Sequence, residues 1–230
     1  DVNKDKYVTR VEITISECRF INNAANEEGG ALAIQTNYPL TITGCYFENN
    51  KSPMNGGAIF IETVVNDNTD NPQQMPYATI TGCTFIGNSG HNSHCIYILD
   101  APKTEIEITY CNFSNNYDEN YHGGACVLSN AIKLTVTECN FMNNDLEHSS
   151  GGVNVTSRST LIISGTNFVH CNAGSIAGSY GGGIGYCTLN SNDVSREESI
   201  EITKCTIDGS GGANGVAIGL KPFTYPVISD

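Results

Sequence analysis

Leu40-Thr41-Ile42-Thr43-Gly44-Cys45-Tyr46-Phe47-Glu48-Asn49-Asn50, followed after a short spacer by Gly56-Gly57-Ala58-Ile59-Phe60-Ile61, is the phrase whose reading decides the fold. Its first four residues alternate apolar side chains with threonine, the pattern of a strand with one buried face. The phase slips between Ile42 and Cys45, which predicts a bend at Thr43-Gly44. Cys45 and Phe47 then alternate inward along a second, short strand. Asn49-Asn50 predicts the next corner, because asparagine tolerates the left-handed region and bonds its own backbone. Gly56-Gly57 opens a third strand. Three strands and three corners in so short a span describe one coil of a parallel β-helix.

The phrase recurs along the chain. It opens at Ile13-Thr14-Ile15-Ser16-Glu17-Cys18-Arg19-Phe20, returns at Cys83, Cys111 and Cys139, and degenerates at Thr166 and Cys205. The steps between these seven positions are 27, 38, 28, 28, 27 and 39 residues. A constant period with local insertions is how a solenoid reads, because each coil contacts only its neighbours. We therefore expect an all-β solenoid of seven coils, three short strands each. A lead-in over 1–10, a repeat domain over 11–220 with loops inserted near 64–76 and 187–199, and a tail over 221–230 complete it. At about 4.8 Å per stacked strand, seven coils would stand roughly 34 Å tall.

Stacking predicts ladders. Phe20, Phe47, Phe85, Phe113, Phe141 and Phe168 should form an internal aromatic column. Asn23, Asn50, Asn88, Asn116 and Asn144 should trade amide hydrogen bonds at one corner. Cys18, Cys45, Cys83, Cys111 and Cys139 should line up inside as buried thiols, behaving as small hydrophobes. Cys95, Cys126, Cys171 and Cys187 lie off that column and are free to pair elsewhere. Aligning the third strand on its glycines, with Val153 and Val155 inward, puts Leu32, Ile34, Ile59, Ile61 and Leu128 outside. That stripe is a candidate interface, covered either by another chain or by a flanking loop.

The pairing of Phe-x-x-Asn with Gly-Gly-Ala-(Ile/Leu/Val) resembles the repeat of the chlamydial polymorphic outer-membrane proteins, within the wider pectin-lyase-like group; similar repeats occur in protist surface proteins. Phe20 to Asn23, Phe47 to Asn50, Phe85 to Asn88, Phe113 to Asn116 and Phe141 to Asn144 carry the first element. Gly29-Gly30-Ala31-Leu32 and Gly56-Gly57-Ala58-Ile59 carry the second. The resemblance implies a right-handed parallel β-helix displayed at a cell surface, often as an adhesin. Coil six departs from it, since Phe168-Val169-His170-Cys171 loses the asparagine.

Composition bounds the function. With 24 acidic against 11 basic side chains the net charge is −13, which argues against nucleic acid and anionic membrane as partners. No apolar run reaches the roughly 18 residues that span a bilayer. The chain opens at Asp1 with no initiator Met, as a mature product or an excised piece does. Twenty-seven asparagines and 24 glycines favour turns over helices. Ten cysteines and the sequons at Asn50, Asn112 and Asn154 point to an extracellular glycoprotein.

Catalytic signals are sparse. The four arginines fall in different coils, and no paired carboxylates stand out as a motif. Asp1, Asn3, Asp5 and Glu12 have calcium-loop spacing, but Lys6 replaces the glycine of the sharp turn, so the expectation is no cofactor, with calcium a weak candidate. His91, His94, His122 and His148 gather near one corner without common register. The reading is a non-enzymatic extracellular scaffold, an adhesin segment or the subunit of a filament. Its expected partners are copies of itself, host or surface proteins, or glycans. The alternative is a polysaccharide lyase or hydrolase, or a glycan-binding β-helix.

Overall fold

The structure, a computed structural model, describes residues 11–63, 77–99, 104–116, 126–146, 151–156, 159–173, 182–187, 199–211, 217–221 and 227–228. Among these residues there are strands and turns and no helix. The strands form three long parallel sheets, of eight, seven and seven strands, in which neighbours come from successive coils. A β-solenoid results, with the core enclosed between the sheets.

The first sheet begins with Ile13–Ser16, Leu40–Thr43, Tyr77–Thr81 and Glu105–Thr109, and its register pairs Ile15 with Ile42, Ile42 with Ile80, and Ile80 with Ile108. Leu40, Ile42, Ile80, Ile106 and Ile108 are buried while the threonines between them face out. In the second sheet, Phe20 pairs with Phe47, and the column runs on through Phe85, Phe113, Phe141 and Phe168 to Ile207. The expected seven-position repeat is thus the observed register. The repeat also runs past 220, for Val227–Ile228 pairs with the strand Ser199–Thr203 inside the stretch read as a tail. Two residues are too short a run to show alternation.

Each corner has its own cause. The residue before the cysteine position takes a left-handed conformation in all seven coils: Glu17, Gly44, Gly82, Tyr110, Glu138, Gly165 and Lys204, with φ between 52° and 62°. The residue before the asparagine position does the same at Asn22, Asn49, Gly87, Asn115, Asn143, His170 and Gly209. Gly56 of the diglycine is also left-handed, at φ 63°. Gly57 is needed for space instead, since a Cβ there would be driven into the carbonyl oxygens of Ser89 and His94 in the next coil.

The third sheet corrects the candidate interface. Ile59 pairs with Ile96, Ile96 with Val127, and Val127 with Val153. Val153 therefore sits opposite the Ile59 column and not the Ala58 column, one residue from where the glycines align them. A one-residue slip exchanges the two faces of a strand. Ile59 and Ile61 are fully buried in the core, and Leu32 and Ile34 are half-buried against it. The side chain of Leu128 lies outside the described residues. The outward positions are instead Phe60 and Tyr97, whose rings lie 6.0 Å apart. Phe60 is only 4% exposed, so the chain itself covers it.

Candidate functional site

Three internal columns hold the coils in register. Phe20, Phe47, Phe85, Phe113, Phe141 and Phe168 stack with centroids 4.9, 4.8, 4.7, 4.5 and 4.9 Å apart and planes within 9° of parallel. The separation follows the coil step, which leaves the rings no choice but to stack.

The asparagine column is a continuous hydrogen-bond ladder. Asn88 Nδ2 donates to Phe47 O at 3.0 Å and to Asn116 Oδ1 at 3.1 Å. Its Oδ1 accepts from the backbone N–H of Asn50 at 3.0 Å and from Asn50 Nδ2 at 2.9 Å. Asn50 and Asn116 repeat the pattern, and Asn23 and Asn144 sit at its ends. Where coil six loses the asparagine, Cys171 takes its place. The Cys171 thiol donates to Phe141 O at 3.4 Å, and the Cys171 backbone N–H donates to Ser210 Oγ at 3.2 Å. Cys171 thus belongs to this column.

The cysteine column solves the same problem at the other corner. Cys45 N–H donates to Cys83 Sγ at 3.4 Å, while the Cys45 thiol donates to Thr43 O at 3.4 Å and Ile15 O at 3.6 Å. Cys83, Cys111 and Cys139 repeat this, and Thr166 substitutes a hydroxyl. Cys18, expected inside with them, is instead exposed, because it stands at the end of the column in the first described coil. Nine cysteines are free thiols, including Cys95 and Cys126; the Cys187 side chain lies outside the described residues. Burial pushes the thiols of Cys45, Cys126 and Cys205 up and that of Cys171 up to about 12. Hydrogen bonding with Cys139 and Cys83, then burial, holds Cys111 far above the ordinary thiol range. Such thiols pack and bond; they are poor nucleophiles.

Of the sequon asparagines, Asn50 is corrected. It is fully buried and its amide is committed to Phe20 O and Asn88 Oδ1, so no glycan can be attached there in the folded chain. Asn112 is exposed, and Asn154 is half-buried. Asp1, Asn3, Asp5, His122, His148 and nearly all of both inserted loops lie outside the described residues. Glu12 and His91 are exposed, whereas His94 is buried. Among the described residues no cluster of metal-binding side chains occurs.

The outer face of the first sheet holds what motif reading passed over. Glu105 and Glu107 occupy alternate positions of one strand and both are exposed on the same face. The signal was an E-x-E inside a strand pattern, which period-two alternation converts into neighbouring carboxylates. Register sets Tyr77 and Lys133 on either side of Glu105, and Thr79 and Thr135 on either side of Glu107. Lys133 Nζ lies 3.1 Å from Glu105 Oε2. These residues, with Ile162, line a groove of about 610 Å³. Beside it runs an outward row of hydroxyls, Ser16, Thr43, Thr81, Thr109, Thr137, Ser164 and Thr203, with Thr109 Oγ1 donating to Thr81 Oγ1 at 2.9 Å. On the second sheet an exposed ladder joins Asn112, Asn140 and Asn167 at 2.9 Å.

Residues 44–62 match the Chlamydia polymorphic membrane protein (Chlamydia_PMP) repeat. The match runs from the left-handed Gly44 through the asparagine corner to the outward end of the third strand, which is one coil without its first sheet. It bears out the resemblance read from the phenylalanine and glycine motifs. The family is one of membrane proteins, which gives coarse support to a cell-surface location. No curated protein and no solved structure matches the chain.

Proposed function

We propose that this chain is a non-enzymatic scaffold at the cell surface, an adhesin segment or a structural subunit of an extracellular assembly. The observation that carries the reading is the unbroken register of three sheets over seven coils, closed by aromatic, carboxamide and thiol columns. In such an array every coil is braced only by its neighbours, so the product is a stiff rod that presents its outer faces without rearranging. The membrane-protein repeat at residues 44–62 supports display outside the cell.

The alternative, polysaccharide cleavage, draws on the Glu105–Glu107 pair. Same-face positions two residues apart lie about 6.8 Å apart along a strand, inside the range used by glycosidases. Both carboxylates are exposed, however, and Glu105 is paired with Lys133. A general acid needs the opposite, a buried carboxyl that holds its proton.

Labelling intact producing cells with an antibody to the folded chain tests the display reading. Surface staining without permeabilisation is expected; signal only after permeabilisation would overturn it. Electron microscopy of the native material then separates the two scaffold roles, long fibres indicating a subunit and isolated short rods an adhesin segment. Release of reducing ends from neutral or acidic polysaccharides, lost in the Glu105→Gln/Glu107→Gln double variant, would establish cleavage instead.

A further inference from the structure

The groove on the first sheet has a lining of consistent chemistry. Tyr77 stands at its rim with 47% of its surface exposed. An aromatic ring left open beside a polar groove offers an apolar face and a phenolic hydroxyl together. Glu105 and Lys133 neutralise each other at 3.1 Å with 51% and 38% of their side chains still open, so each keeps capacity for a ligand. Glu107 has no hydrogen-bond or ionic partner among the described residues. Thr79 and Thr135 flank it with hydroxyls.

The layout is a grid. Tyr77, Glu105 and Lys133 form one row along the solenoid axis, and Thr79, Glu107 and Thr135 a second, with rows built from successive coils at about 4.8 Å. Because every position sits on a strand of a continuous sheet, the grid is rigid and already formed before anything binds. A ligand lying along the axis meets an aromatic face first, then alternating acceptors and donors at even intervals. Consecutive pyranose rings in an extended chain repeat at a comparable distance.

We infer that this groove binds a short uncharged oligosaccharide, with Tyr77 stacking on one sugar ring and Glu107 accepting hydrogen bonds from the next ring's hydroxyls. Charge decides the class. Glu107 and the net charge of −13 repel uronates and sulfated sugars, whereas an uncharged sugar supplies the hydroxyl donors that a bare carboxylate takes up. A cavity of about 610 Å³ is the size of a small-ligand site. A hard cation is a poor occupant, because strand-borne carboxylates on a flat sheet cannot wrap one in six to eight oxygens. The inference deepens the surface-scaffold reading by naming a partner class, and it rests on that reading only for where the partner is met.

The test is calorimetric and NMR titration of the whole chain with chitotetraose, cellotetraose and mannotetraose, and with tetragalacturonate as the anionic comparator. Saturable binding of at least one uncharged probe is expected, with amide shifts confined to the strands Tyr77–Thr81, Glu105–Thr109 and Lys133–Thr137. Tyr77→Ala should weaken it about tenfold or more, as loss of an aromatic platform does, and Glu107→Gln about fivefold or more. Asp208→Asn, exposed on the second sheet, should leave it unchanged. All three positions are exposed, so matched urea midpoints will show that the variants fold. No saturable uncharged probe, binding that survives both groove variants, or preference for tetragalacturonate would each overturn the inference. Any of those outcomes leaves the surface reading to stand or fall on the labelling of intact cells.

Discussion

Removing one rung of the asparagine ladder is the sharpest probe of what holds the coils together. Asn88→Ala deletes four hydrogen bonds at a fully buried site. Asn50 Nδ2 keeps Phe20 O, and Asn116 Oδ1 keeps the Asn88 N–H at 2.9 Å. The Asn50 backbone N–H, however, loses its acceptor, and Phe47 O loses one donor. An orphaned buried group costs about 1–3 kcal/mol, so the variant should lose about 3 kcal/mol in all. Asn23→Ala removes the same side chain from the exposed first rung, where Asn50 Oδ1 still accepts the Asn23 N–H at 3.1 Å and water is at hand. It should cost under about 1 kcal/mol. Urea unfolding at constant slope measures both, and amide exchange at Asn50 should accelerate only in Asn88→Ala. Asn88→Asp should be worse than alanine at neutral pH, because an acceptor-only side chain would face Phe47 O and Asn116 Oδ1. If the two alanine variants agree within about 0.5 kcal/mol, the ladder is ornament and the reasoning fails.

Further outcomes follow from the same geometry. Phe113→Ala, between rings at 4.7 and 4.5 Å, should cost about 3–5 kcal/mol, and Phe20→Ala at the half-exposed end of the column distinctly less, as read by urea midpoints. A thiol-reactive disulfide should label Cys18 at once and the buried column only after denaturation. The raised thiols of Cys45, Cys126, Cys171 and Cys205 hold their protons longer folded than unfolded. Their contribution is complete below the unfolded thiol pKa of about 8.5 and is lost as pH rises beyond it, so thermal midpoints should fall on the alkaline side. Tyr110→Gly should stabilise by about 0.5–1 kcal/mol, because Tyr110 is 65% exposed and held at φ 54° where glycine pays no steric penalty. Expressed through a glycosylating secretory route, the chain should carry glycan at Asn112 and none at Asn50, by mass spectrometry of glycopeptides.

Much of this architecture is legible because a solenoid writes its register into sequence. Cys45, Phe47 and Asn50 each recur at the coil step, so three independent columns report the same period, and each reappeared as a stack or ladder. Cys171 was harder to place. It stands where an asparagine is expected, and only the shared acceptor, the carbonyl of the phenylalanine one coil back, shows that thiol and carboxamide do the same task. The Ile59–Ile61 stripe failed for a definable reason. The glycines at 56–57 and 151–152 are offset by one residue relative to the strands they open, and a period of two turns one residue into the opposite face.

Period, coil number, the two left-handed corners and the identity of the internal columns were determined by the sequence alone, since they depend on neighbours a fixed number of residues apart. The faces of the third sheet, the burial that closes Asn50 to modification and the groove of Tyr77, Glu105, Glu107 and Lys133 were decided only by tertiary structure. Tyr77, Glu105 and Lys133 lie 28 residues apart in succession and share no motif. They meet because hydrogen bonds between coils bring one strand position of each turn beside the next, and no single coil contains more than one residue of either row.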